Sequence, residues 1–338
     1  MRNLKIEYFR LILITLIVYM HIEGYGLGDY EYLKNSDLAT YFSLRCISVV
    51  SFWGVPGFIL ISGYYGVSFK WERIFSLWIQ TFVYTLLSGF LLWLFYRQSM
   101  SFKLIFGATT ILFNWHGYWF VADYVLLLFM SPLINKGIEC VDKKSFTILV
   151  LFTSLSLYIF AWYHKVNSSM SMPLFFQLYI LGRYLRKYPF NFLRRNCWSV
   201  FIVSMVILWG ACFIEVNIDS YIHTFYNPFV ILSLISLLYI LTNKPIMGKG
   251  NFLTRNVLGV YLITESTFGR SFIVDYMVRP YELALIPLLI KLAIIVVLSL
   301  MIEEARKMLM KKIEFKMFNF FKYILLNLDC FNKSRNDE

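Results

Sequence analysis

Arg10 and His21 are the two polar points at which chemistry could sit in the first apolar stretch, and their spacing implies a path across a bilayer. Between them runs LILITLIVYM, ten residues without a charge. On an α-helix, eleven positions bring the direction back to within about 20° and advance the axis by about 16 Å, so one face carries both side chains at two depths. A neutral imidazole can act as a base. Ionisable groups inside a membrane helix are costly, which favours a function for them. The competing assignment is structural, with Arg10 reaching back to the headgroups as a topology determinant and His21 hydrogen-bonding a neighbouring helix.

The elements that must position this pair are membrane helices. Hydrophobic residues make up 59% of the 338-residue chain and charged residues only 15%, which excludes an ordinary soluble core. Apolar segments fall at 6–22, 41–62, 74–95, 118–134, 146–163, 172–185, 198–214, 226–242, 256–268 and 281–302. They predict an all-α, polytopic membrane helical bundle of about ten transmembrane helices, as one transmembrane domain over 1–302. Segments 172–185 and 256–268 are shorter than the ~20 residues of a straight crossing, which predicts helix breaks or crossings surrounded by protein. The stretch 102–117 is apolar in its middle but too short to cross, and reads as a re-entrant or interfacial segment.

Charge orients the bundle. Of the 32 Lys and Arg, 24 lie in 1–10, 64–74, 135–145, 183–198, 243–255 and 303–338, against 7 in the alternate loops. The bias places both termini in the cytoplasm and accounts for the net charge of +12 without a nucleic-acid partner. The first helix has a basic start but no small-x-small cleavage site, so it is expected to remain as an anchor. The tail 303–338 mixes Lys with Met, Phe and Leu and reads as a basic amphipathic helix on the inner membrane surface, with a partner-binding helix as the alternative. Cys46, Cys140, Cys197, Cys212 and Cys330 show no paired spacing, so neither a disulfide nor a metal site is expected. Gly-rich phosphate loops, His-x-x-x-His pairs and Gly-x-Ser-x-Gly elbows are missing from the sequence, which leaves nucleotide hydrolysis, metalloproteolysis and serine-hydrolase chemistry without support.

Further motifs fall in order behind Arg10-x10-His21: Ser62-Gly63-Tyr64, Trp119-Phe120, Leu181-Gly182-Arg183-Tyr184-Leu185-Arg186-Lys187 and Gly259-Val260-Tyr261-Leu262-Ile263. Over roughly residues 4 to 302 the chain resembles the acyltransferase-3 family of bacterial integral membrane acyltransferases, many of which O-acetylate surface polysaccharides. The resemblance implies transfer of an acyl group, acetyl above all, from cytoplasmic acyl-CoA to a sugar hydroxyl of a cell-envelope or exported polysaccharide, or of a lipid-linked saccharide. It places the chain in the inner membrane, among lipids, with acyl-CoA as a substrate and no bound cofactor. A polysaccharide exporter of the same family without acyl-transfer chemistry is the alternative.

The roles that the resemblance implies are these. Arg10, with Lys70 and Arg73 after Ser62-Gly63-Tyr64, would hold the donor phosphates, and Arg183, Arg186 and Lys187 are weaker candidates. His21 would act as general base on the acceptor hydroxyl or carry the acyl group itself. A carboxylate should fix its tautomer. Glu23, Asp123, Glu215 and Glu265 lie near spans, and Glu265 is favoured. Many family members follow Tyr-Leu-Ile with histidine, whereas Thr264 and Glu265 stand here. For the acceptor, Trp115, His116 and Trp119 offer aromatic faces and hydrogen-bonding groups, although an interfacial aromatic belt would have the same composition.

Overall fold

The computed structural model describes residues 2–27, 30–98, 106–107, 109–110, 115–163, 172–213, 224–277 and 285–334, with side chains described for all of these except 115–116, 161–162, 276–277 and 324–334. It is 87% helical. The main helices are α1 (Leu4–Ile22), α2 (Leu38–Ser51), α3 (Gly54–Tyr65), α4 (Trp71–Tyr96), α5 (Trp115–Cys140), α6 (Lys143–Tyr163), α7 (Met172–Lys187), α8 (Cys197–Phe213), α9 (Pro228–Thr242), α10 (Val257–Glu265), α11 (Thr267–Phe272) and α12 (Leu285–Ser334). Among the described residues, extended pairing is confined to Arg2–Asn3 against Met247–Gly248.

The result is an all-α, multi-pass membrane bundle, and each of the ten apolar segments coincides with a helix or a broken pair of helices. Among the described residues, five helical stretches, one of them α2 and α3 taken together, are long and apolar enough to cross a bilayer unaided, and there are six if α10 and the helix after it count as one. The others fall short for physical reasons. α1 carries Lys5, Glu7 and Arg10, while α7, α8 and α9 have 16, 17 and 15 residues. The last helix runs unbroken through residue 302, where the sequence suggests a boundary between span and tail. Most of 102–117 lies outside the described residues, but Trp78 on α4 donates through Nε1 to the carbonyl of Thr109 at 3.0 Å.

α1 sits at the centre. Its start is fixed by Asn3, whose side-chain oxygen accepts from the Lys5 amide and whose Nδ2 donates to Leu241 O at 3.0 Å. Leu13, Ile14, Val18 and Ile22 are buried against the surrounding helices. α3 and α7 cross so closely that a Cβ at Gly182 would meet Tyr64 N at 2.7 Å, and one at Gly63 would collide with the Tyr179 carbonyl. Small residues at such a crossing let membrane helices gain dispersion contact, since lipid tails supply no hydrophobic drive. The loop leaving α3 is tied down by Tyr179, which accepts from Val67 N at 3.1 Å and donates to Asn135 Oδ1 at 2.8 Å.

Candidate active site

The site forms where α10 ends against α1. Tyr261, Thr264 and Glu265 are spaced i, i+3 and i+4, so they share one face of α10, and that face meets His21. Glu265 Oε2 lies 3.0 Å from His21 Nε2, and Thr264 Oγ1 lies 3.0 Å from Nδ1. Both imidazole nitrogens are therefore engaged. The Thr264 hydroxyl also lies 2.9 Å from Val260 O, so its single proton can go either to that carbonyl or to Nδ1.

The carboxylate is held from three sides. Besides His21, Tyr25 O–H donates to Oε2 at 3.1 Å, and the Arg270 guanidinium pairs with Oε1. Arg270 Nε donates to the Glu265 carbonyl at 3.1 Å, and the guanidinium stacks 4.9 Å from the Tyr25 ring centroid. A break in the helix produces this grip. Ser266 leaves the helix, caps α11 by accepting from Gly269 N at 3.0 Å, and the chain bends by 70°. Arg270 is thereby turned back onto Glu265. A carboxylate this fully engaged keeps Nε2 as the N–H nitrogen of a neutral imidazole, which leaves the lone pair on Nδ1.

Next to His21 lies a partly open cavity among α1, α3, α4, α5 and α10, with about 620 Å³ of empty space when the open side is included. Arg10, Ile14 and Ile17 line it on α1, and His21 is the next residue of that stripe, one turn beyond Ile17. Phe58, Ser62, Leu77, Phe120, Val121, Tyr124, Val257, Leu258 and Tyr261 complete the wall. The Arg10 guanidinium lies 3.6 Å from Glu7 Oε1 and 5.8 Å from the Phe58 ring centroid, and remains one-third exposed. An apolar slot thus has a cation at one end and a buried imidazole just past the other.

The remaining sequence candidates spread out. Lys70 and Arg73 are exposed, at the end of the bundle where Arg10 enters, and do not line the cavity. Arg183 packs against Gly66, Arg186 lies over the Tyr64 ring at 5.2 Å, and Lys187 donates to the Ile138 carbonyl at 2.8 Å. Glu23 accepts from Tyr30 and Ser48 at 2.9 Å instead of facing His21; Asp123 is buried on α5, and Glu215 lies outside the described residues. Trp119 packs edge-on against Phe175, with ring centroids 6.2 Å apart; the side chains of Trp115 and His116 lie outside those described.

Three residues of the constellation were not singled out from sequence. Tyr25 extends the Arg10–His21 face by one turn and was within reach of the same periodicity. Thr264 lay beside a residue already favoured. Arg270 gave no signal, because only the bend at Ser266 returns it to the carboxylate.

Neither a curated protein nor a solved structure gives a significant match to the chain. The family described as "Acyltransferase domain", acyltransferase-3, matches residues 3–303, which takes in every helix from α1 to the first part of α12. With His21 and Glu265 both inside that match, the chain belongs to the acyltransferase-3 family of membrane acyltransferases.

Proposed function

We propose that the protein takes an acyl group, acetyl above all, from cytoplasmic acyl-CoA and passes it to a hydroxyl of a cell-envelope or exported polysaccharide, or of its lipid-linked precursor, from the inner membrane. The observation that carries this reading is the stripe Arg10–Ile14–Ile17 lining an apolar slot between five helices, with His21 next on the same helix face. Donor phosphates would stay with Arg10, assisted by Lys70 and Arg73 at the basic, cytoplasmic end. The uncharged pantetheine arm would enter the slot. The thioester would then reach the level of His21, about 16 Å further along the helix.

In this reading, Glu265 holds Nε2–H and His21 Nδ1 takes the proton of the acceptor hydroxyl, once Thr264 has turned its own proton to Val260 O. The acceptor oxygen attacks the thioester carbonyl. The tetrahedral intermediate collapses with loss of the CoA thiolate, which takes up the proton from the imidazolium. Trp119, with Trp115 and His116 nearby in sequence, is the proposed acceptor platform. The distribution of Lys and Arg supports cytoplasmic placement of residues 1–10 and 303–338.

The test is acyl transfer by purified protein in nanodiscs, using labelled acetyl-CoA and the host polysaccharide precursor. His21→Ala should abolish transfer at every donor concentration while leaving membrane abundance near normal. Wild-type turnover in His21→Ala would overturn the mechanism. A wild-type protein that moves polysaccharide across vesicles without forming an acyl ester would replace transfer with export.

A further inference from the structure

Of the three polar α10 side chains on the face that meets His21, two are spent on the imidazole and one is not. Tyr261 is 4% exposed, and although the Phe120 backbone N–H faces its oxygen, its hydroxyl proton has no acceptor among the described residues. Leaving a buried hydroxyl unpaired costs about 1–3 kcal/mol, and native structures seldom do so without a reason. The ring is not loose: its centroid lies 5.5 Å from Phe120, 6.3 Å from Tyr118 and 6.1 Å from His21. Tyr261 also closes the slot that Arg10 opens. An idle donor is therefore fixed between the end of the slot and the imidazole, where a reacting carbonyl would have to lie.

We propose that the Tyr261 hydroxyl is the hydrogen-bond donor to the carbonyl oxygen of the acyl donor, a catalytic role that rests on the acyl-transfer reading above. As the acceptor oxygen forms its bond to the carbonyl carbon, the C=O π pair moves onto oxygen, and Tyr261 O–H donates to that oxyanion without giving up its proton. When the C–S bond breaks, the pair returns to re-form the ester C=O. The thiolate leaves with the proton that His21 took from the acceptor. The donor is rigid and desolvated before the substrate arrives, which is the condition for a large effect on the transition state.

Tyr261→Phe deletes one oxygen and keeps the ring. Expected in the nanodisc assay is a fall in kcat of about 10²–10³-fold, with the donor KM within about 2-fold of wild type. The thermal midpoint should stay within a few degrees of wild type, because the hydroxyl proton has no acceptor to lose and only the approach of the Phe120 N–H is given up. Tyr118→Phe, which alters the ring on the other side of Tyr261, is expected to keep kcat within about 3-fold. An active wild type with undiminished kcat in Tyr261→Phe overturns the proposal alone, as do equal losses in the two Phe variants. Failure of the wild type to turn over any acyl-CoA overturns the acyl-transfer reading, and this one with it.

Discussion

Replacing Glu265 by Gln is the sharpest perturbation of the site, because shape is kept while the acceptor facing His21 is removed. The carboxylate accepts from His21 Nε2 at 3.0 Å, from Tyr25 at 3.1 Å and from Arg270, and an amide has one oxygen for these three donors. Arg270 retains its formal charge and claims that oxygen. The amide NH2 is then presented to Nε2 and favours the tautomer with its proton on Nδ1, so the basic nitrogen faces a donor instead of the acceptor hydroxyl. A wrong tautomer removes general-base catalysis and its orientation together, for an expected loss in kcat of about 10²–10⁴-fold. The donor KM should move less than about 2-fold, since in the proposed binding mode the donor phosphates would sit at the far end of the slot. Arg270 is about one-third exposed, so losing its ion pair should cost no more than about 1 kcal/mol. The assay is acyl transfer in nanodiscs across a donor titration, with the thermal midpoint measured in parallel. Undiminished kcat, or a loss cured by excess acyl-CoA, would refute the assignment of Glu265 as the residue that positions His21.

Other outcomes are expected from the same geometry. Arg10→Ala should raise the donor KM about 10-fold with kcat nearly intact, and Arg10→Lys should fall between, because it restores the charge without the fork; unaltered acyl-CoA binding would leave Arg10 a topological role. Arg306→Ala strands Glu303, which is fully buried and otherwise touches Gln80, Tyr84 and Lys307, so stability should fall by about 3 kcal/mol, read as loss of folded protein on detergent-resistant gels. A cysteine-reactive, membrane-impermeant label should fail to reach a tag after residue 338 in intact cells; labelling there would reverse the proposed orientation.

Much of this architecture was legible because a membrane imposes strong rules on sequence. A 3.6-residue period and the cost of buried charge place Arg10 and His21 on one stripe, and apolar runs locate the helices. Crossing number was less accessible, since α7 to α9 are short and α1 carries three charges close together. Partner choice was harder still. Glu23 lies two residues from His21 in sequence yet turns to Ser48 and Tyr30, whereas Glu265, more than 240 positions away, meets the imidazole. Helical periodicity says which face a residue occupies, not which helix comes to meet it. The bend at Ser266 carries no periodic signal, so the role of Arg270 became visible only in three dimensions.

The meeting of α1 with α10 also sets when the protein becomes competent during its synthesis. His21 enters the membrane with the first helix, but Thr264, its Nδ1 partner, follows 243 residues later. At about 5–20 residues per second, that interval lasts roughly 10–50 s. Through it the nascent chain holds a histidine without its carboxylate. α10 has only nine residues and cannot span alone; it is steadied by Glu303 on α12, whose side chain fills the space beside Gly259. Assembly of the site therefore waits for α12, and chains cut short by stalled ribosomes or proteolysis before α10 would lack the Thr264 and Glu265 contacts to His21. Because the two partners stand more than 240 positions apart, a formed His21–Glu265 contact reports that the helices between them have already been inserted.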